Sequence, residues 1–469
     1  MTINRDAITP VTPSPATATR PDSPDATGAA PVSARQLRRA ILTSAVGSAL
    51  EYYDFAIFGL ATALIFSRVF FSSFDAHAGL LASFATYGVG FLARPLGGLF
   101  FGSLGDRKGR KFVLLMTIAI MGVSTTLVGL LPAGPLGAVG LIVLRLIQGF
   151  GAGAEQAGAS TLMAEVAPLP RRGYFAALPF VGIFAGFGIA TATATFSLLQ
   201  HLMDNATLLA WGWRLPFLAS VILIAVAVWI RLRLRESPAF AALESGHQVA
   251  RSPMRAVLRQ ARRPVAAAVL MRLAEQGGST IYTTIVIAFL GGTVATRLGL
   301  PAAQLARIGT SCAMIATLAS VITTPLFGAL SDRFGRKTIY RAGAIFMLLW
   351  SVPAWWMVST GEPVWVAVAM FGGLAIGANS MLGAQCAHFA ELFGNRYRYS
   401  GVALSREIGA VLSGGLAPIL GIYLIGLAGG AFWVMGLYTA VLSALTLVGV
   451  AMSTETRGRD LTDLDDAIH

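Results

Sequence analysis

The chain has 469 residues, of which 55% are hydrophobic and only 12% charged, with a mean hydropathy of +0.69. Soluble domains carry about 25% charged residues, so roughly half the usual solvated surface is missing, which excludes a string of water-soluble domains. The net charge of +13 would suit a phosphate backbone. The basic residues, however, lie in short connections between apolar runs, as membrane topology requires, so nucleic acid is excluded as a partner.

The first 34 residues are rich in Pro, Thr, Ser and Ala and hold no apolar block; they read as a disordered tail rather than a cleaved signal peptide. A spanning helix needs about 20 mostly apolar residues. Twelve segments meet that need: 38–67, 78–105, 111–131, 136–165, 173–199, 212–233, 264–292, 304–330, 337–358, 363–391, 400–426 and 429–453. An all-α membrane protein follows. The polar run 454–469 reads as a second, shorter tail. Cys312 and Cys386 fall inside apolar helices and form neither a metal-ligand cluster nor a disulfide framework.

Basic residues set the orientation. Arg35, Arg38 and Arg39 precede the first span, and Arg107, Lys108, Arg110 and Lys111 follow the second. Arg171 and Arg172 follow the fourth; Arg333, Arg336, Lys337 and Arg341 mark the turn from the eighth to the ninth. Arg396 and Arg398 follow the tenth, Arg457 and Arg459 the twelfth, and eight arginines lie between Arg231 and Arg263. The alternate loops hold only Arg68, Arg297 and Arg307 at their edges. Positive charge stays inside, which predicts an inner-membrane protein with both termini cytoplasmic.

The connection 234–263 divides the chain into six-span halves, 35–233 and 264–453. An internal repeat supports the division: Gly102-Ser-Leu-Gly-Asp106-Arg107-Lys-Gly109-Arg110-Lys111 recurs as Gly328-Ala-Leu-Ser-Asp332-Arg333-Phe-Gly335-Arg336-Lys337, an offset of 226. The same offset carries Glu165 onto Glu391 and Arg172 onto Arg398. Glycines permit a tight turn and close helix contact, an Asp at a helix end can meet a basic side chain or a helix N-terminus, and the arginines can reach carboxylates such as Glu165 and Glu391.

This repeated pattern resembles the hallmark cytoplasmic loop of the major facilitator superfamily, and the resemblance covers residues from about 38 to 453. It implies twelve transmembrane helices in two six-helix halves and a cytoplasmic gate built from Gly102, Asp106, Arg107, Gly109, Arg110, Glu165, Asp332, Arg333, Gly335, Arg336 and Glu391. Further stretches are similar to the metabolite:proton symporter family of shikimate, citrate, 2-oxoglutarate and proline/betaine carriers. These are Glu51-Tyr52-Tyr53-Asp54-Phe55, Gly90-Phe-Leu-Ala-Arg94-Pro95-Leu-Gly97-Gly98, Arg145-Leu-Ile-Gln148-Gly149, Trp211-Gly-Trp213-Arg214-Leu-Pro216 and Arg235-Glu236-Ser237-Pro238. Span four departs from that family at Gly153-Ala-Glu155-Gln156, with an amide where an aromatic side chain is usual.

Charges inside spanning helices cost roughly 2.5–3.5 kcal/mol each on insertion scales and mark functional sites. Glu51 and Asp54 share a face of the first span. Arg145, Gln148, Glu155 and Gln156 form a polar stripe down the fourth, and Arg94 lies well inside the second. These seven residues are expected around the central cavity, where a carboxylate facing an arginine serves as a proton switch. The C-terminal half does not copy them: the offset carries Arg94 onto Ser320 and Arg145 onto Phe371. It offers its own set for a substrate cavity: Arg272, Glu275 and Gln276 on one face of span seven, Asn379, Gln385 and His388 in span ten, and Arg406 in span eleven. Arg406 would either anchor a substrate carboxylate through its guanidinium fork or pair with Glu407 or the latch; Arg272 and Glu275 would line the cavity or neutralise each other; His388 would titrate or pack. Tyr52, Phe55 and Tyr282 are further lining candidates.

The 52 glycines crowd spans four, five and eleven (Gly149, Gly151, Gly153, Gly182, Gly186, Gly188, Gly409, Gly414, Gly415), where they allow close helix packing. Gly149-Phe-Gly151-Ala-Gly153 follows no strand, so no dinucleotide is bound. No nucleophile–base set, metal spacing or nucleotide loop points to an enzyme, and no cofactor is expected. The reading is a monomeric proton-coupled symporter for a small organic acid or zwitterion, its partners being that solute, protons and the lipid bilayer. A proton-driven exporter of drugs or metabolites and a transport-inactive membrane sensor are the alternatives.

Overall fold

The computed structural model describes residues 34–181, 201–233, 236–246, 248 and 252–468, together with 188, 191, 192, 194–196, 198 and 199. The expected N-terminal tail up to residue 33, and Gly182, Gly186 and Arg235, lie outside the described residues. Each expected span is met by a helix. In the first half these are α1 (Ala34–Ala61), α2 (Ala76–Lys108), α3 (Arg110–Val128), α4 (Pro135–Val166), α5 (described at its start, Arg172–Ala177) and α6 (Leu208–Leu232). In the second they are α7 (Arg262–Leu298), α8 (Ala302–Phe334), α9 (Arg336–Ser359), α10 (Pro363–Leu392), α11 (Asn395–Leu427) and α12 (Trp433–Met452). Among the described residues, nine helices are long and apolar enough to cross a membrane, α3, α4 and α6 to α12, and no strand is present. Large side chains such as Leu92, Ile222, Trp229, Ile322, Leu349 and Leu427 stay exposed on the outer faces. That much open apolar surface would aggregate a soluble protein and suits a lipid-facing one.

Two features of the sequence fix the helix ends and the inter-helix distances. The turns from α2 to α3 and from α8 to α9 consist of a single residue, Gly109 at φ 95° and Gly335 at φ 101°, a left-handed backbone that glycine adopts without steric cost. Between α2 and α4 there is no room for a side chain. A Cβ on Gly97 would fall on the Phe150 carbonyl, one on Gly149 on the Gly90 carbonyl, and one on Gly153 on the Arg94 carbonyl. Small residues draw helices together in this way. The first half is cored by Phe58, Phe66, Phe70, Trp213 and Phe217, whose rings meet edge-on or stacked.

The connection between the halves carries two short helices, Pro238–Ser245 and Pro253–Gln260. The run 454–468, expected to be a free tail, instead folds back over the motif end of the bundle. The Asn395 amide donates to the Asp463 carbonyl at 2.8 Å, and the Ala467 amide to that of Leu392 at 3.1 Å. Leu461 and Ile468 are buried there. Two apolar residues spaced along a polar run are too weak a pattern to predict docking from sequence.

Candidate functional site

At the motif end the two halves grip each other through bonds that occur twice. Asp106, at the end of α2, accepts from the amides of Tyr399 and Ser400 at the start of α11, at 3.1 and 2.8 Å. Asp332, at the end of α8, accepts from the amides of Gly173 and Tyr174 at the start of α5, at 2.8 and 2.9 Å. The offset from residue 173 to 399 is again 226. A carboxylate at a helix N-terminus meets unpaired amides and the positive end of the helix dipole. Around each Asp the buried arginines close a network. Arg110 bridges Asp106 and Glu165 at 3.3 and 3.1 Å, and Arg336 bridges Asp332 and Glu391 at 2.6 and 3.1 Å. The cross-half pairs are reciprocal: Arg398 to Glu165 at 2.9 Å and Arg172 to Glu391 at 3.0 Å.

The structure brings nine of the eleven expected gate residues together and leaves Arg107 and Arg333 exposed apart from them, except that the Arg333 carbonyl accepts from Arg457. Gly102 has Ser400 against it and Gly328 has Gly173, with no space for a Cβ in either place. Two carboxylates absent from the expected gate cap its helices. Glu236 accepts from the amides of Arg110 and Lys111 at 3.0 and 3.2 Å, and Glu455 from those of Arg336 and Lys337 at 2.8 and 3.0 Å. Burial pushes the Glu236 carboxyl above its ordinary value against the opposing pull of those amides and of Arg110. These caps lie outside the 226 offset, so the repeat did not reveal them.

Midway through the bundle, Glu51, Asp54, Arg94 and Arg145 do not meet at one point, as expected from sequence; they form two clusters. In the first, Asp54 accepts from Thr125 Oγ1 and Gln148 Nε2. Gln148 in turn accepts from Arg145 Nη1 at 2.6 Å. Arg145 lies over the rings of Phe58, Tyr87 and Phe55, 4.2, 4.8 and 5.1 Å from their centroids. Its Nη2 is buried with no hydrogen-bond partner among the described residues.

The second cluster crosses the interface. Arg94 Nη2 donates to Glu51 at 2.8 Å and Arg94 Nε to Glu407 on α11 at 2.9 Å. Gln156 donates to Glu51 at 3.3 Å and accepts from Arg406 Nη2 at 3.0 Å. Arg406 Nη1 donates to Gln385 at 2.9 Å, and Gln385 Oε1 also accepts from Arg272 at 2.8 Å. Arg272 pairs with Glu275 at 2.6 Å and donates to Gln276 at 2.8 Å. The chain of polar groups therefore runs unbroken from α1 to α7.

Three expected members of the cavity lie elsewhere. Glu155 is held by Arg231 and Thr117 inside the first half. α4 breaks at Gly153 and Ala154, which turns Glu155 away from the stripe of Arg145 and Gln148, while Gln156 faces the interface. Arg231, read as a connection residue, is 1% exposed; a buried Glu155 needs a cation, which was the available signal. His388 bonds Thr456 at 2.8 Å beside Glu391, so it belongs to the motif end. Asn379 donates to Thr323 on α8 at 3.2 Å, apart from the chain above. Glu407, expected from sequence only as a partner for Arg406, faces a different group, because adjacent helical residues point apart. A narrow crevice of about 20 Å³ lies within the first half, lined by Gly47, Glu51, Asp54, Thr125 and Glu155 among others.

Paired six-helix halves, latched at one end by a duplicated acidic–basic motif and joined by buried charges at mid-depth, define a twelve-helix major facilitator transporter, a multi-pass membrane protein and not an enzyme. The chain belongs to the sugar (and other) transporter family, whose model matches residues 40–263 and 252–467. It is 34% identical to the shikimate transporter of Escherichia coli over 437 residues, covering 91% of this chain and 96% of the relative. It is 33% identical to the ectoine/proline transporter ProP of Corynebacterium glutamicum over 445 residues, 91% and 86% of the two chains. The fold matches that of the proton:xylose symporter XylE of E. coli bound to 6-bromo-6-deoxy-D-glucose, with a TM-score of 0.71 at 16% identity, covering 92% and 98%.

Proposed function

We propose that this protein is a monomeric symporter that carries a small organic acid or zwitterion into the cell with protons, with both termini and the motif end on the cytoplasmic side. The observation that carries the reading is the state of Arg406: it is 1% exposed, and its guanidinium is met by two amides and the Phe180 ring, 5.2 Å away. Among the described residues no carboxylate is in ion-pair range of it. A buried guanidinium without a carboxylate is a seat for a substrate carboxylate, which supplies the charge and the lone pairs that the amides lack. Asp54, beside Arg145 and an amide, is a carboxylate whose charge depends on that local arrangement, which suits proton uptake. The relatives named for shikimate and for ectoine and proline support a carboxylate-bearing solute.

In this reading the duplicated latch is the closed cytoplasmic gate, and alternating access opens it by rocking the halves apart. Reconstituted protein given an inward proton gradient would accumulate one of labelled shikimate, citrate, 2-oxoglutarate, proline or betaine, and a protonophore would abolish the accumulation. Extrusion of fluorescent cations without any such uptake would replace the symporter with an exporter.

A further inference from the structure

The charges at mid-depth do not cancel locally. Arg94 sits between two carboxylates, Glu51 and Glu407, which gives the triad a net charge of minus one. Arg406, one residue from Glu407, has no carboxylate in ion-pair range among the described residues. Other charges on the packed elements are matched: Glu155 on α4 by Arg231, Glu275 on α7 by Arg272, and Arg145 by the nearby Asp54 through Gln148. Tyr52 on α1 and Cys386 on α10 also face these groups; as a phenol and a thiol they are uncharged near neutral pH. One excess negative charge and one excess positive charge therefore remain, and Gln156 touches both, through Glu51 and Arg406. Among the described residues, Glu51 Oε2 is buried with no hydrogen-bond partner, and so is Arg406 Nε. The first is an unused acceptor and the second an unused donor, and each is costly to leave so.

We propose that Glu51 and Glu407 share one proton across Arg94, and that a substrate carboxylate on Arg406 tightens its binding by removing the compensating charge. The second clause rests on the reading of Arg406 given above. With Arg406 free, its charge offsets the triad and the proton is held weakly. An anion on Arg406 cancels that offset, and a buried net negative charge takes up a proton, because two carboxylates on one cation cannot both stay ionised cheaply in low dielectric. The proton arrives from the side opposite the latch and rests on a carboxylate oxygen.

Release follows from which half each group belongs to. Glu51 and Arg94 are both on the first half and Glu407 is on the second. Arg94 lies twelve residues before Asp106 along α2, about 18 Å at 1.5 Å per residue, so parting of the latch opens water up to this depth. Arg94 then keeps Glu51 as a neutral pair, while Glu407 leaves with α11, is hydrated, and gives its proton to the water on the latch side. Solute and proton bind together and leave together, with no net change at the triad.

The test is infrared difference spectroscopy of the full-length protein in lipid, following protonated carboxyl bands as pH is raised. We expect a titrating band that E51Q and E407Q each remove and D54N leaves in place, distinct from any band that D54N itself removes. R406Q should move its midpoint up by about one pH unit, the size of a lost nearby opposite charge. All variants are checked by gel filtration, and E407Q and E51Q are near-isosteric, so a loss in both with an intact profile is not misfolding. Survival of that band in E407Q, or an R406Q midpoint that does not rise, overturns the proposal. The symport reading fails separately, if wild-type vesicles that show the band accumulate none of the five solutes under a proton gradient.

Discussion

The latch and the mid-depth chain differ in symmetry, and the difference suits the tasks proposed for them. At the latch each half contributes the same parts: an Asp on the partner half's helix start, an Arg bridging two carboxylates, and a Glu paired across the interface. At mid-depth nothing is duplicated. Arg94 and Arg145 have Ser320 and Phe371 at the equivalent positions, and the second half answers with Arg272, Arg406 and Glu407 on other helices. A gate closes by two faces meeting, so both faces can be built alike. In the proposed reading the solute binds once per cycle, so duplicated parts would bind it twice or cancel.

Substitutions in the two regions test this contrast. The largest effect is expected from Asp54→Asn or Arg145→Ala, which should abolish gradient-driven accumulation while exchange of solute across the membrane persists. Full accumulation in both variants would remove the Asp54 cluster from coupling. Next comes Arg110→Gln, which strands Asp106 and Glu165 without their shared cation. Breaking a buried pair costs about 3–5 kcal/mol, and Arg336→Gln should cost a similar amount if the two copies of the latch are equivalent; thermal unfolding in detergent reads both. A smaller effect follows from Asp106→Asn and Asp332→Asn, each of which weakens charge-assisted bonds worth about 1.5–3 kcal/mol. Since 1.4 kcal/mol is tenfold, each should shift the closed population by roughly tenfold or more. Spin labels at the exposed positions 107 and 333 would report the change as a longer distance. Strongly unequal effects of the two variants would end the claim of symmetry.

How far the sequence reached follows the same division. The latch was legible because it repeats: an offset of 226 aligns Asp106 with Asp332, Glu165 with Glu391 and Arg172 with Arg398, and each pair of positions performs the same act. The spans were legible because hydrocarbon demands long apolar runs. The membership of the mid-depth clusters was not. A helical wheel places Glu155 beside Arg145 only if α4 is continuous, and it breaks at Gly153 and Ala154, where α2 lies against Gly149 and Gly153. Likewise the wheel could not say which of the adjacent Arg406 and Glu407 faces the first half; both do, towards different partners. The caps Glu236 and Glu455 lie in connections, where no periodicity speaks.

The smallest expected effect is the most pointed for the latch, because it separates residues that the motif presents as equals. Arg107 and Arg110 stand three apart in the same basic run, as do Arg333 and Arg336. Arg110 is fully buried on two carboxylates, whereas Arg107 is exposed and has no carboxylate in ion-pair range among the described residues. Exposed substitutions away from packed features usually fall within about 0.5 kcal/mol. Arg107→Gln and Arg333→Gln should therefore leave stability and closure near wild type and change uptake by less than about threefold, since 0.5 kcal/mol is little more than a factor of two. Measured beside Arg110→Gln in the same vesicles, a loss of comparable size in Arg107→Gln would mean that the exposed arginine finds its partner when the halves part. The open state would then have its own ion pairs, and closure would be a balance between two sets of contacts instead of the gain of one.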